Sequence, residues 1–247
     1  MKKIKLSKDS YKGVDGSSLS STRCSQIVRV YEMLEKIGAK QISYINIQNE
    51  AERLKLFGNT KAKSAIRTFF PLLKKIGFVE YDDLFSANKC FTNVGIQFVA
   101  ACRALENVTN DTLHKDEIIN RLNCIKQDTQ CIGLLNMYKN PEWKNHNIWI
   151  VLKLLKEFRI IHWSEFLYTL HLLEEGFSVE DAIVDIKKNK ESIHSMVFVN
   201  ENDEVLPNTC YSYIRSYLEE AGLISNVSSY ESKLLDNSDK FYSQIDI

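Results

Sequence analysis

Two segments of this chain stop in the same way. "SAIRTFFPLLKKIGFVEY" runs from Ser64 to Tyr81, and "SYIRSYLEEAGLIS" runs from Ser212 to Ser225. Each carries a Ser, an Ile-Arg pair, a hydroxyl residue and an aromatic, then a charged stretch with an apolar stripe, then a Gly followed by two apolar residues. Apolar side chains at helical spacing predict an amphipathic helix. A Gly just past the last periodic residue supplies the left-handed backbone that ends it. Apolar residues directly after that stop turn the chain back towards a core. The fold is therefore expected to contain one helix-stop-strand unit twice. The copies differ in length: the Gly lies ten positions after the Arg in the first (Arg67, Gly77) and seven in the second (Arg215, Gly222), and the extra stretch includes Pro71.

The segments around the first copy extend the pattern. Only 9 Gly and 3 Pro interrupt 247 residues, so long helices are expected and the fold class is mainly α with small β-hairpins. Ile27, Val30, Tyr31, Leu34 and Ile37 recur at helical spacing behind the capping cluster "SSLSST", and Gly38 closes them. A second helix is expected over 44–57, with Ile47, Ala51, Leu54 and Phe57 on one side. Thr60 is placed to cap a third, in which Ala62, Ile66, Phe69, Leu73 and Ile76 face the core and Pro71 is expected to produce a kink. "FVEY" and "KCFT" read as the strands of a hairpin around "DDLFSANK", and "NVGIQFVAACRAL" as a helix. Three helices, a hairpin and a further helix are the parts of a winged helix, a helix-turn-helix variant, here over 20–106. The polar run Glu106–Thr112 marks a boundary. A second, more helical winged-helix-like domain is expected over 112–225. In it Ser164 caps "EFLYTLHLL", Ser178 and Asp181 form a capping box, and Asn208 or Thr209 caps the second copy. Residues 1–19 read as a loose basic arm and 226–247 as a polar tail, poorly ordered at its end.

The formal net charge is zero, but it is unevenly spread. Residues 1–75 hold 16 Lys+Arg against 6 Asp+Glu, and residues 76–247 hold 16 against 26. A basic amino-terminal third points to a polyanionic partner, for which double-stranded DNA is the leading candidate. The third helix then acts as the reading element, flanked by the hairpin. Arg53, Thr60, Lys61, Lys63, Ser64, Arg67, Thr68, Lys74 and Lys89 are the candidate contacts, being residue types that suit phosphates and base edges. In the second copy Asn208, Tyr211, Ser212 and Arg215 form a candidate leading edge, although the acidic neighbours Glu201, Asp203, Glu204, Glu219 and Glu220 favour a packing role equally.

Catalytic and metal motifs are missing. Six cysteines are scattered without a C-x-x-C pair and read as reduced and buried, including Cys124 and Cys131 one heptad apart. The five histidines do not pair at ligand spacing, and His162 and His171 sit among apolar residues as core-edge side chains. There is no P-loop, dinucleotide fingerprint or zinc-protease motif. Two D/E-x-K strings occur, Glu142-Trp143-Lys144 in a loop (with Asp128 upstream) and Asp185-Ile186-Lys187 in a helix. Two-carboxylate metal chemistry with such a triplet needs acids and a lysine converging on one strand-borne site, which neither string offers, so no catalytic residue, metal site or cofactor is assigned to this chain. No apolar run approaches a membrane span and no signal peptide is evident, so a cytoplasmic location without a membrane partner is expected.

The run "IRTFFPLLKKIGFVEY…FTNVGIQFV" resembles the winged-helix recognition half of type IIS restriction endonucleases of the FokI and AlwI kind. "CYSYIRSYLEEAGLI" resembles the corresponding helix of their later winged-helix subdomain, and "IIHWSEFLYTLHLLEEGFSVEDAI" an intervening helical stretch of the AlwI-like branch. Taken loosely, the likeness covers residues 22–225. It implies sequence-specific recognition within a restriction-modification system, with the Mg2+-dependent nuclease domain outside this chain or on a separate subunit. Two other readings compete: a stand-alone winged-helix regulator of transcription or replication, and an adaptor whose winged helices bind protein.

Overall fold

The computed structural model describes residues 2–11, 19–144 and 146–247. The chain is mainly helical with small sheets. Its elements run β1 (Lys3–Lys5), α1 (Ser21–Ile37), β2 (Gln41–Ile42), α2 (Tyr44–Arg53), α3 (Ala62–Lys75), β3 (Phe85–Ser86), α4 (Asn93–Glu106), α5 (Lys115–Lys139), α6 (Asn147–Phe158), β4 (Ile160–His162), α7 (Trp163–Glu174), α8 (Val179–His194), β5 (Val197–Val199), α9 (Thr209–Glu220), β6 (Ile224–Asn226), β7 (Glu231–Leu234) and α10 (Asp239–Tyr242).

These elements form two compact units, and the division is not at the polar run 106–112. One unit is continuous, residues 15–143; the other is discontinuous, residues 1–14 together with 144–247. Helix α5 is one 25-residue helix that packs along α4. Glu106–Thr112 is thus a turn between paired helices within the continuous unit. The amino-terminal arm is likewise not loose where it is described. Strand β1 pairs in parallel with β5, Lys3 opposite Val197 and Lys5 opposite Val199, and Ile4 and Leu6 are buried. The tail is structured as well: β7 lies between β4 and β6, while Phe241, Tyr242 and Ile245 are buried. Burial alternates along Glu231–Leu234, with Ser232 and Leu234 inside, as in a half-buried strand.

Regrouping the chain in this way reduces the charge asymmetry. The continuous unit holds 17 Lys+Arg against 14 Asp+Glu, and the discontinuous unit 15 against 18. The five lysines of residues 1–14 belong to the unit that is otherwise acidic, and Lys5 pairs with Asp203 there at 3.2 Å.

Within the continuous unit, Ser20 caps α1 as the cluster predicted, and Gly38 ends it at φ +70°. Helix α2 closes at Arg53 rather than Phe57, because the chain turns over Leu54–Asn59. Helix α3 runs as one helix through Pro71. Its N-cap position is Lys61, not Thr60, and that side chain makes no cap bond. Ile66, Phe69, Leu73 and Ile76 are fully buried, as their spacing required. The expected hairpin contracts to a bridge between Val79 and Phe91, while β3 pairs antiparallel with β2, a strand the sequence did not suggest. Helix α4 then starts hard against the chain. The Thr92 hydroxyl donates to the Gly77 carbonyl at 2.7 Å, and a Cβ at Gly95 would come within 2.0 Å of the Phe78 carbonyl oxygen.

The discontinuous unit repeats this order with an insertion. Helix α6, strand β4 and helix α7 are followed by α8 and β5, then by α9, Gly222 at φ +70°, and the β6–β7 hairpin. The returning strand β7 pairs with β4, as β3 pairs with β2 in the continuous unit. Each motif helix is therefore followed by a strand that pairs back with a strand nearer the start of its unit. The capping box of Ser178 and Asp181 is present on α8. Helix α7 is capped by His162 and not by Ser164, with Glu165 completing a box. Four of the six cysteines are buried, but Cys124 is exposed and Cys131 intermediate, so the heptad spacing of that pair did not signal burial.

Candidate nucleic-acid interface

Helix α3 separates its residues sharply. Ile66, Phe69, Phe70 and Leu73 sit at 0% exposure, and Lys61, Lys63, Ser64, Arg67, Thr68 and Lys74 lie on the solvent side. Phe69 and Phe70 join a ring cluster with Phe57, Tyr44, Tyr81 and Phe91. That packing fixes the rotation of the helix about its axis, and therefore which side chains face out.

The exposed cations are not equivalent. Lys63 Nζ donates to Asn49 Oδ1 at 3.2 Å, and its backbone N–H donates to Glu52 Oε2 at 3.0 Å. The Glu52 carboxylate therefore stands at the positive end of α3, where Lys61 gives no cap and an incoming phosphate would otherwise bind. Arg53 is paired with Glu50 through two nitrogens, which holds the Glu50 carboxyl below its usual range and raises the guanidinium. Lys74 folds over the Tyr81 ring, 4.4 Å from its centroid, and donates to the Tyr81 carbonyl at 2.6 Å. Thr68 donates back to the Ser64 carbonyl at 3.0 Å, a common habit of a helical threonine. Lys61, Arg67 and Lys89 make no ion pair with a described residue. Thr60 lies in the exposed turn before α3, and Lys89 on the short 3-10 turn after β3. Arg67 is the central free cation of the α3 face, and its charge is felt at the half-buried Tyr44 phenol.

The corresponding residues on α9 behave differently. Tyr211 is fully buried, donates to Ser232 Oγ at 3.0 Å and has its phenol pushed up to about 12 by burial. It is a core side chain and not a contact residue, which corrects the sequence reading. Arg215 turns back onto its own unit: Nη1 donates to the Ser228 carbonyl at 2.8 Å, and the guanidinium carbon lies 5.8 Å from the Tyr211 ring centroid. Asn208 occupies the N-cap position without a side-chain cap bond, and Ser212 is half-buried behind it. Of the four proposed leading-edge residues, only Asn208 and Ser212 keep partly accessible side chains uncommitted to the hairpin.

Asn49 and Glu52 were not singled out from sequence. Their part depends on α2 lying against α3, which periodicity does not report, whereas the i,i+3 pairing of Glu50 with Arg53 was readable from spacing. The two D/E-x-K strings are apart from any acidic cluster. Glu142 and Lys144 are exposed, while Asp185 accepts a hydrogen bond from the Tyr168 hydroxyl at 2.5 Å. Among the described residues no group of three His, Cys, Asp or Glu side chains is arranged to hold a metal ion, and no helix is long and apolar enough to cross a membrane. Comparison with known proteins gives no match to a family model, a curated protein or a solved structure.

Proposed function

We propose that this chain binds double-stranded DNA sequence-specifically, with α3 of the continuous unit as the reading helix. The observation that carries this reading is the sorting of α3: a fully buried aromatic-aliphatic side clamps the helix, and the opposite side offers Lys61, Ser64, Arg67 and Thr68 to a groove. Arg67 suits a guanine edge, and Lys61 and Lys89 suit phosphates. On this reading each unit is a winged-helix variant, and α9 serves mainly to anchor its own hairpin. Read with the resemblance to type IIS recognition halves, the chain is the recognition module of a cytoplasmic restriction system. Mg2+-dependent cleavage would then belong to a nuclease domain or subunit outside it.

A protein-binding adaptor is the second reading. It is favoured by the carboxylates Glu50 and Glu52 beside the α3 face and by the near-balanced charge of the continuous unit. Selection of bound sites from a random duplex library, followed by binding of the selected site across a salt series, separates the two. A DNA reader gives an enriched motif and an affinity that falls steeply with salt. An unenriched pool with salt-insensitive or absent binding sinks the DNA reading and leaves the adaptor.

A further inference from the structure

The first turn of α7 is held by an imidazole. His162 Nδ1 accepts the Ser164 backbone N–H at 3.2 Å and lies 2.6 Å from the Ser164 hydroxyl. To accept that N–H, Nδ1 must be bare of a proton, so the cap requires neutral His162 with its hydrogen on Nε2. Most N-caps are Ser, Thr, Asp or Asn, which keep their acceptor at every physiological pH. This one does not.

The surroundings oppose a charge on that ring. Glu165, fully buried three residues on, has both oxygens engaged: Oε2 accepts the His162 backbone N–H at 3.0 Å, and Oε1 meets His194 Nε2 at 2.9 Å and Lys190 Nζ at 3.1 Å. Lys190 already balances Glu165. The His194 ring from α8 lies 4.6 Å from the His162 ring, with the Tyr230 ring tilted against His162 and Trp163 beyond it. The remaining charged group facing His162 is Glu231, its partner in the β4–β7 ladder. Burial first, and then His194, hold the His162 imidazole below its ordinary range despite the two carboxylates.

We propose that His162 is a pH-operated helix cap whose protonation releases the start of α7 and the β4–β7 ladder beside it. A proton arriving at Nδ1 occupies the lone pair that Ser164 N–H needs. It also places a cation against His194 and Lys190. Because the folded His162 pKa is depressed, its stabilising contribution is fully present above the unfolded value of about 6.5 and is lost as pH falls through the lower folded value. The hairpin β6–β7 feels the change through Tyr230 and Glu231.

The experiment is a histidine side-chain 1H–15N titration of the whole chain from pH 8 to 5, with amide exchange followed in parallel. At pH 7.5 His162 should show the Nε2–H tautomer, and it should titrate below a free imidazole. The Ser164, Tyr230 and Glu231 amides should shift with that midpoint, and exchange at Ser164, corrected for intrinsic rate, should speed about fivefold to tenfold, as loss of a side-chain cap implies. His162→Asn, a cap without a titration, should remove this acid step. His194→Gln keeps a donor for Glu165 and should move the His162 midpoint upward. Ser164 and Tyr230 amides that ignore the His162 midpoint would overturn the proposal, and so would an acid step surviving in His162→Asn. Should that variant not fold, an unmoved His162 midpoint in His194→Gln overturns it equally.

Discussion

Helices α3 and α9 carry the same Ser-x-Ile-Arg motif, bury the same side of it and use its arginine differently. Ile66 and Ile214 are both fully buried, as are the aromatics Phe69 and Tyr217 three residues on. Around that common anchor the surroundings diverge. Position 63 is an exposed lysine, and its counterpart Tyr211 is at 0% exposure; Ala65 is buried, and its counterpart Tyr213 is 47% exposed. Arg67 reaches into solvent, whereas Arg215 clasps the Ser228 carbonyl of its own hairpin. The motif thus specifies how the helix is seated and where it stops, and leaves the use of the arginine to the side chains one turn earlier. An aromatic there draws the guanidinium inward over its ring; a lysine at the same place leaves it free.

The largest effect expected from this contrast is on stability. Tyr211→Ala should cost about 3–5 kcal/mol, as loss of a buried aromatic, while Lys63→Ala should stay within about 0.5 kcal/mol. Denaturant midpoints measured at unchanged m-value decide it, and equal costs at the two positions would break the comparison. Next comes binding. Arg67→Ala should weaken duplex affinity by about 1–3 kcal/mol and relax sequence preference at one position, with the folded state intact. Arg215→Ala should leave binding as it was, and anisotropy titrations on a selected site would show an equal loss from both variants if α9 also reads DNA. A smaller cost, about 1–2 kcal/mol, is expected for Gly77→Ala, because φ is +74° there and the new Cβ would lie 2.7 Å from Asn136 Nδ2. Thermal melting provides that measurement. The smallest is Tyr211→Phe, about 1 kcal/mol, for the hydrogen bond to Ser232. A loss as large as that of the alanine variant would mean that the hydroxyl, not the ring, seats α9.

How far the sequence carried this picture depends on the range of the interaction. The stripe Ile66–Phe69–Leu73–Ile76 and the stops at Gly77 and Gly222 are local consequences of helical period and of left-handed backbone, and the structure has them where the pattern put them. The sorting of Lys61, Ser64, Arg67 and Thr68 to the outer face follows from the same period. Strand β2 is two residues long and owes its existence to β3, more than forty positions away, so no periodicity announced it. Tyr211 looked like a surface hydroxyl because its burial is supplied by Phe166 and by Ser232 of the hairpin, in segments remote along the chain. Likewise the acidic caps and pairs at Glu52 and Glu165 depend on neighbouring helices. The basic arm misled for a related reason: alternating Lys-Ile-Lys-Leu is as much an edge strand as a loose cationic tail, and only the presence of β5 decides between them.

The discontinuous unit sets a schedule for the ribosome. Strand β1 leaves the exit tunnel ahead of the continuous unit, yet its partner β5 follows about 190 residues later. At about 5–20 residues per second, the nascent strand waits roughly 10–40 seconds with Ile4 and Leu6 uncovered, while every element of the continuous unit emerges and can complete itself. The lysines that alternate with those apolar side chains have a use during that interval which the finished fold no longer reveals. They keep an unpaired strand soluble until the rest of its unit is synthesised.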